Sequence, residues 1–267
     1  MNHASVNKPA PLSFLEWNLN ARSGGPKYSI PSFVIDKIQN EKADIIVLVE
    51  FSAPEAAWSK FCEQLPAYAL FCSPFQGGYN QVCIGVKKTL DYTAQPISRN
   101  DINDIKDPKV PEYLQVDLKQ DESTLLSIIG VRIKTQGNQK PAQYRWLKEM
   151  LSRKARFLCL GDFNCTSSEL QGKIDPQTNA VVYGPRIKNG YHSYVFPDGS
   201  TQGLDWAILK GGTANNPYPD LDKSPYATYS WDFVTKENGY GDKTSQNYLD
   251  VLGKPDHAML KGAFRFE

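Results

Sequence analysis

The segment Arg156-Phe157-Leu158-Cys159-Leu160-Gly161-Asp162-Phe163-Asn164 limits most strongly what this chain can become. Its apolar run is short, lacks a helical period and stops abruptly, which predicts a buried strand. Gly161 permits a sharp exit and the close approach of another backbone. Asp162 and Asn164 then stand at the C-terminal end of that strand. Taken alone, an acid and an amide two residues apart have a plain structural use, because Asp and Asn start turns. The rest of the chain decides whether they also carry chemistry.

Other apolar segments end on, or enclose, a polar residue in the same way. Leu12 to Leu19 predicts a first strand anchored by Phe14 and Trp17, with Asn18 at its end. Pro31-Ser32 opens a helix that turns Val34, Ile35 and Ile38 inward. Asp44 to Glu50 predicts a strand buried on both faces, with Glu50 at its end. Ser52 and Glu55 match a capping box with Pro54 inside the first turn, and Trp58, Phe61, Cys62 and Leu65 form the inward stripe. Strands are expected near 68–74, 80–87 and 112–118, with Gly77-Gly78 turning between the first two. Leu125 to Ile133 predicts another buried strand, with Arg132 near its end. Pro141 leads a helix to about Leu151 with Leu147, Met150 and Leu151 inward. Residues from 165 to about 203 read as loop. Leu204 to Leu209 is a strand enclosing Asp205, and Asp256-His257 precede a last strand from Ala258 to Phe266. A charge in an apolar strand is costly unless it is paired or bound to metal. Such residues on strand after strand are unusual for a purely structural sheet.

Composition removes several alternatives. Thirty basic residues face 29 acidic ones, so net charge does not announce a polyanionic partner. Five cysteines show no metal spacing, and their odd number argues against a disulfide framework; a reducing, cytoplasmic setting is expected. No apolar run approaches the roughly 20 residues that span a bilayer. Residues 1–11 read as a disordered lead, and 12–267 as one domain with a polar, aromatic-rich insertion at about 211–250.

The residue types point to one chemistry. Glu50 and Asp256, with Asn18 nearby, offer hard oxygen ligands suited to Mg²⁺, with Mn²⁺ an alternative. No His/Cys cluster suits zinc. A hard cation beside an acid, an amide and an imidazole fits attack of water on a phosphate ester.

The ordered set Trp17-Asn18, Asp44 to Glu50, Gly161 to Asn164, Leu204 to Trp206 and Asp256-His257 resembles the endonuclease/exonuclease/phosphatase superfamily. That family includes exonuclease III-like nucleases, DNase I, sphingomyelinases and inositol polyphosphate 5-phosphatases. The resemblance spans nearly the whole domain. It implies an α/β fold, a four-layer α/β/β/α sandwich of two mixed sheets flanked by helices. It also implies roles. Glu50 resembles the principal metal ligand, Asn18 its support, and Asp256 a second acid near the metal. Asp162 resembles the acid that orients or deprotonates water. Asn164 resembles the amide on the scissile phosphate, and Asp205 the acid that orients the catalytic His257.

Three positions depart from the pattern. Arg132 stands where many relatives have His or Tyr; it cannot be a general acid but can clamp a phosphate. Pro255 and Gly203 replace a common Ser and Arg. The segment from Val131 to Arg156 holds eight Lys or Arg against Glu149 alone, which reads either as a solvated helix face or as a flank for a phosphate backbone. Tyr191, His192, Tyr194 and Arg145 are the candidates for substrate contact. The expected activity is metal-dependent hydrolysis of nucleic acid, most readily by a DNA endonuclease of little sequence preference. The alternatives are hydrolysis of a small or lipid phosphate ester, and a nuclease-like binding module without catalysis.

Overall fold

The computed structural model describes residues 11–20, 30–76, 79–97, 106–135, 138–174, 178–184, 192–196, 198–211, 227–240 and 254–265. Tyr191, Gly77-Gly78, Tyr218 and Tyr226 lie outside them.

Two β–α–β units form the frame. In the first, β1 (Leu12–Asn18) and β2 (Ile45–Phe51) lie parallel and are joined through α1 (Ser32–Glu41). In the second, β7 (Ser123–Arg132) and β8 (Phe157–Asp162) lie parallel and are joined through α3 (Lys140–Ser152). α2 (Glu55–Gln64) lies between these units in sequence. Antiparallel strands widen each centre. β3 (Tyr68–Cys72) and β4 (Gln81–Lys87) extend the first, as do β13 (Thr228–Ser230) and β14 (Met259–Phe264). β5 (Thr93–Pro96), β6 (Glu112–Gln120), β9 (Val181–Tyr183) and β12 (Asp205–Lys210) extend the second. The result is two mixed six-stranded sheets, ordered β13-β14-β1-β2-β4-β3 and β5-β6-β7-β8-β12-β9.

Alternation along the strands sorts the side chains into layers. Phe14, Val47, Ile84, Val116, Ile128, Leu158 and Leu209 pack between the two sheets. The opposite faces carry Trp17, Leu48 and Ile46 against Ile35 and Ile38 of α1 and Phe61 of α2. On the other sheet Val131, Cys159 and Ile208 meet Leu147 and Leu151 of α3 and Leu170 of α4 (Ser167–Ile174). This is the expected helix–sheet–sheet–helix sandwich. Each fully buried Val, Leu or Ile contributes about 1.5–3 kcal/mol. Burial on that scale, rather than the few ion pairs, holds the sheets together.

Several expectations change. Residues after 165 are not all loop: α4, β9 and the two-stranded ribbon of β10 (Tyr194–Val195) and β11 (Thr201–Gln202) lie there. α2 begins at Glu55 behind an extended Pro54 that makes no side-chain cap, and the buried Ser52 hydroxyl has no hydrogen-bond partner. The capping box expected at Ser52/Glu55 is therefore not formed, because Ser52 sits two residues too early. A complete capping box exists instead at α4. Thr166 N–H and Oγ1–H both donate to Glu169 Oε2 at 2.9 Å, and Glu169 N–H reaches back to Thr166 Oγ1 at 3.4 Å. Part of the 211–250 insertion is built into the fold. β13 extends the first sheet, and the ring of Phe233 lies 4.6 Å from that of Trp17.

Candidate active site

The two parallel pairs end at the same end of the sandwich, and their last residues carry the polar groups. Parity sets the direction of each. Asn18 follows Leu12 and Phe14 on the inter-sheet face, Arg132 follows Leu126 and Ile128, Asp162 follows Leu158 and Leu160, and Asp205 precedes Ala207 and Leu209. Across the second sheet, Glu112, Arg132, Asp162 and Asp205 occupy neighbouring register positions in one row. Gly161 permits this row. Its φ is 153°, and a Cβ there would run into the Val131 carbonyl.

Glu50 breaks the parity rule. Val49 faces the other sheet and Phe51 faces the helices, so the residue between them has no regular side. The β2–β4 register slips between Leu48 and Phe51, and Glu50 takes φ 47°. A bulge of this kind re-aims a side chain, at a backbone cost of about 1–3 kcal/mol. Here it turns the Glu50 carboxylate into the cleft, where Asn18 Nδ2–H donates to Oε1 at 3.3 Å.

Asp162 is the hub. Asn18 Nδ2–H donates to Oδ2 at 3.2 Å, Asn164 N–H to Oδ1 at 2.8 Å and Asn164 Nδ2–H to Oδ2 at 2.9 Å. The Asn164 amide also donates to the Ile133 carbonyl at 2.8 Å, and its backbone sits in the left-handed region at φ 51°. Asn18 turns its own oxygen to the Asn20 N–H at 3.0 Å. It therefore faces the site as a donor between two carboxylates. Burial and the facing Asp205 push the Asp162 carboxyl up to about 7, against the pull of His257 and Arg132.

Asp205 Oδ2 lies 2.7 Å from His257 Nδ1. Burial alone would lower the imidazole's pKa, but the Asp205 carboxylate overrides it and holds the ring well above its ordinary value. The backbone is fixed around the pair: Tyr229 O–H donates to the Asp205 carbonyl at 2.6 Å and Trp17 Nε1–H to the His257 carbonyl at 3.1 Å. Asp205 Oδ1 is buried without a hydrogen bond. Asp256 Oδ1 lies 4.0 Å from His257 Nε2.

Arg132 stands between two acids. Its Nε is 2.6 Å from Glu50 Oε1, an ion contact not aligned as a hydrogen bond, and its Nη1–H donates to Glu112 Oε2 at 3.2 Å. Glu16 was not singled out by sequence reasoning. It shares the inter-sheet face with Phe14 and Asn18, is fully buried, and neither carboxylate oxygen has a hydrogen-bond partner. Burial first, then Asp205, raises its carboxyl well above the usual range. The alternation through Phe14 and Asn18 was the signal that could have found it.

Of the candidate substrate contacts, the ring of Tyr194 lies 4.8 Å from that of His257, so it borders the centre. His192 packs 5.9 Å from the Trp231 ring, and burial lowers its pKa. Arg145 is exposed on α3 and lines a cavity that includes Asn164. Tyr191 lies outside the described residues.

The sequence profile of the Endonuclease/Exonuclease/phosphatase family matches residues 15–264. The chain belongs to that family. Its members are phosphoric ester hydrolases, generally metal-dependent. No curated protein sequence matches the chain. Among solved structures, TDP2 of D. rerio complexed with single-strand DNA product superposes with a TM-score of 0.67 at 12% identity, over 96% of this chain and 100% of that one. An AP endonuclease of Leishmania major gives 0.63 at 13%, over 96% and 88%. The endonuclease domain of TRAS1, a telomere-specific non-LTR retrotransposon, gives 0.60 at 13%, over 96% and 99%. These likenesses establish the shared fold.

The family's divalent ion can be tested against the residues present. Among the described residues no group of three or more of His, Cys, Asp and Glu is placed to hold a metal ion by itself. An ion that keeps several waters does not need such a group. Asn18 and Arg132 both approach Glu50 Oε1, and no described hydrogen bond engages Oε2. The donors are hard oxygens without a thiolate. Their chemistry suits Mg²⁺ or Mn²⁺; Glu50 Oε2 is the oxygen that would be left for an ion, since Oε1 already meets Asn18 and the Arg132 guanidinium, while Asp256 stands on the His257 side.

Proposed function

We propose that this member of the family is a metal-dependent phosphodiesterase that hydrolyses nucleic acid, with DNA as its main substrate and little sequence preference. The observation that carries the reading is the 2.7 Å Asp205–His257 pair, whose Asp205 is the register neighbour of Asp162 in the Asp162–Asn164–Asn18 network. When bound, Mg²⁺ or Mn²⁺ would polarise a phosphoryl oxygen and neutralise developing charge. The chain's own groups do the rest. Asp205 fixes the ring of His257 through Nδ1 and leaves Nε2 for a phosphate oxygen. Asp162, held by three N–H donors, orients the attacking water and takes its proton. Asn164 sits beside the scissile phosphate. Arg132 supplies a fixed positive charge to a transition state whose charge spreads over phosphoryl oxygens.

Nucleic acid is favoured over a small ester by the basic face beside Asn164 and by Tyr194 next to His257, where a base or sugar can stack. The structural relatives, a TDP2 complexed with single-strand DNA product, an AP endonuclease and a retrotransposon endonuclease domain, agree in kind. Among the described residues no helix is long and apolar enough to cross a membrane. All five cysteines are unpaired, which fits a reducing compartment such as the cytoplasm.

The test is incubation with supercoiled plasmid, single-stranded DNA, abasic duplex, RNA and inositol phosphates, with Mg²⁺, Mn²⁺ or chelator. Chelator-sensitive nicking, abolished by Asp162→Ala and by His257→Ala, is expected. Undiminished nicking by the double variant would sink these roles. Inert polynucleotides with phosphate release from the small esters would move the function to the alternative class.

A further inference from the structure

The cavity between α3 and α4 meets the hydrolytic centre only at Asn164. About 480 Å³ in volume, it is walled by Lys140, Arg145 and Lys148 of α3 and by Glu169 and Lys173 of α4, with Asn164 alongside. Among the described residues none of the four cations forms an ion pair. The one acid, Glu169, is turned to the helix cap, where Oε2 accepts both donors of Thr166, and its charge offsets only part of theirs. Lys140 Nζ–H donates to the Asn164 carbonyl at 3.3 Å, and Lys173 Nζ lies 5.1 Å from the centre of the Tyr144 ring. Four cations outnumber the one carboxylate round the hollow, and the excess positive charge attracts an anion. The hollow is also continuous with the residue that holds Asp162.

The shape of the charge row selects the anion. Lys140, Tyr144 and Lys148 follow one another a turn apart on one face of α3. Eight residues of helix cover about 12 Å, whereas one strand of duplex carries a charge every ~3.4 Å. The row is therefore longer than a single phosphate group. Tyr144 is buried and gives its hydroxyl to the Phe163 carbonyl at 2.6 Å, so the groove offers charge and no stacking platform.

We infer that this groove binds the phosphodiester backbone of the substrate polynucleotide on the side of Asn164, and does so without reading bases. The inference rests on the nucleic-acid reading above and assigns Lys148 and Lys173 to substrate binding.

The experiment is fluorescence anisotropy of a labelled oligodeoxythymidylate with the whole protein in chelator, so that no turnover occurs, titrated across KCl. Lys148→Glu/Lys173→Glu is compared with Lys60→Glu/Lys88→Glu, which changes the same charge on α2 and just past the end of β4. The first pair is expected to raise Kd roughly tenfold or more and to reduce the salt slope by about 1.4, at ~0.7 per single-strand phosphate contact. The second pair should change neither. Circular-dichroism melting checks that each variant folds, with Lys148→Gln/Lys173→Gln in reserve. Wild-type affinity and slope in the groove variant would overturn the groove and leave the nucleic-acid reading intact. No binding by the wild type at low salt would overturn that reading and the groove with it. Loss of inositol hexakisphosphate binding in the variant, with oligonucleotide binding untouched, would reassign the groove to small polyphosphates.

Discussion

Arg132 is the residue that most distinguishes this site. It is held by Glu50 on one side and Glu112 on the other, and all three side chains are largely buried. Removing one member of a buried ionic group leaves uncompensated charge, which costs about 3–5 kcal/mol. Arg132→Met should lower stability by about that amount in urea unfolding. Burial already pushes the Glu112 carboxyl up, with Arg132 the main force opposing it, so Glu112 is the acid that loses most. The double variant Arg132→Met/Glu112→Gln should therefore recover half or more of the loss. A double variant no more stable than Arg132→Met would show that Glu112 is not the partner that matters. The sequence placed Arg132, Asp162, Asn164, Asp205 and His257 near one centre because each ends or interrupts an apolar strand. It did not give the direction in which Glu50 points. By simple alternation that side chain belongs to neither face, and only a one-residue bulge brings it into the cleft.

At the scale of elements, the apolar runs at 45–51, 123–132 and 157–162 were legible because burial on both faces leaves little else for them to be. α4 was not, since Leu170 and Ile174 are its only buried residues and form too thin a stripe. Its Thr166/Glu169 box was nonetheless the more reliable signal than Ser52/Glu55, where the spacing matched but the backbone between was extended. β5 was missed because it is a mostly exposed strand containing Pro96. Two glycines show how differently position weighs. Gly161 joins the parallel pair to the site: its φ of 153° is foreign to other residues, and the Val131 carbonyl occupies the space of a Cβ. Gly172 lies within α4 with nothing within 4 Å of its would-be Cβ. Gly172→Ala should stabilise by about 0.5–1 kcal/mol, the usual helix difference. Gly161→Ala should destabilise by more than about 3 kcal/mol and abolish nicking, since the strands that align Arg132 with Asp162 must part. Paired thermal melts measure both. A Gly161→Ala protein that melts like the wild type would contradict the packing of β7 on β8.

For the whole molecule, the space between the sheets is apolar along most of its length and ionic at one end. Glu16, Asp162 and His257 crowd that end, and each has a pKa above its ordinary value of 4.5, 3.8 and 6.5. Each therefore binds its proton more tightly folded than unfolded. The stability they contribute is complete below those ordinary values and is lost as pH rises through the folded ones. For Asp162 that window runs from about 3.8 to about 7, with the His257 share lost at higher pH still. In chelator, the midpoint of urea unfolding should accordingly fall between pH 5 and pH 8. Glu16→Gln keeps the shape of the protonated acid without the charge. It should raise stability at pH 8 by at least about 1 kcal/mol, because the wild-type acid must there hold its proton against solvent or ionise in a buried site, at about 1.4 kcal/mol per unit of raised pKa, and change little at pH 4. A divalent ion acts in the opposite sense, because it binds deprotonated carboxylates and stabilises only the fold that assembles them. Mg²⁺ or Mn²⁺ should therefore raise the melting temperature more at pH 8 than at pH 5, and Glu50→Gln should remove most of that rise. Equal shifts at both pH values, or an undiminished shift in Glu50→Gln, would mean that the ion is held elsewhere. The ionic end of the sandwich would then be a device for proton transfer alone.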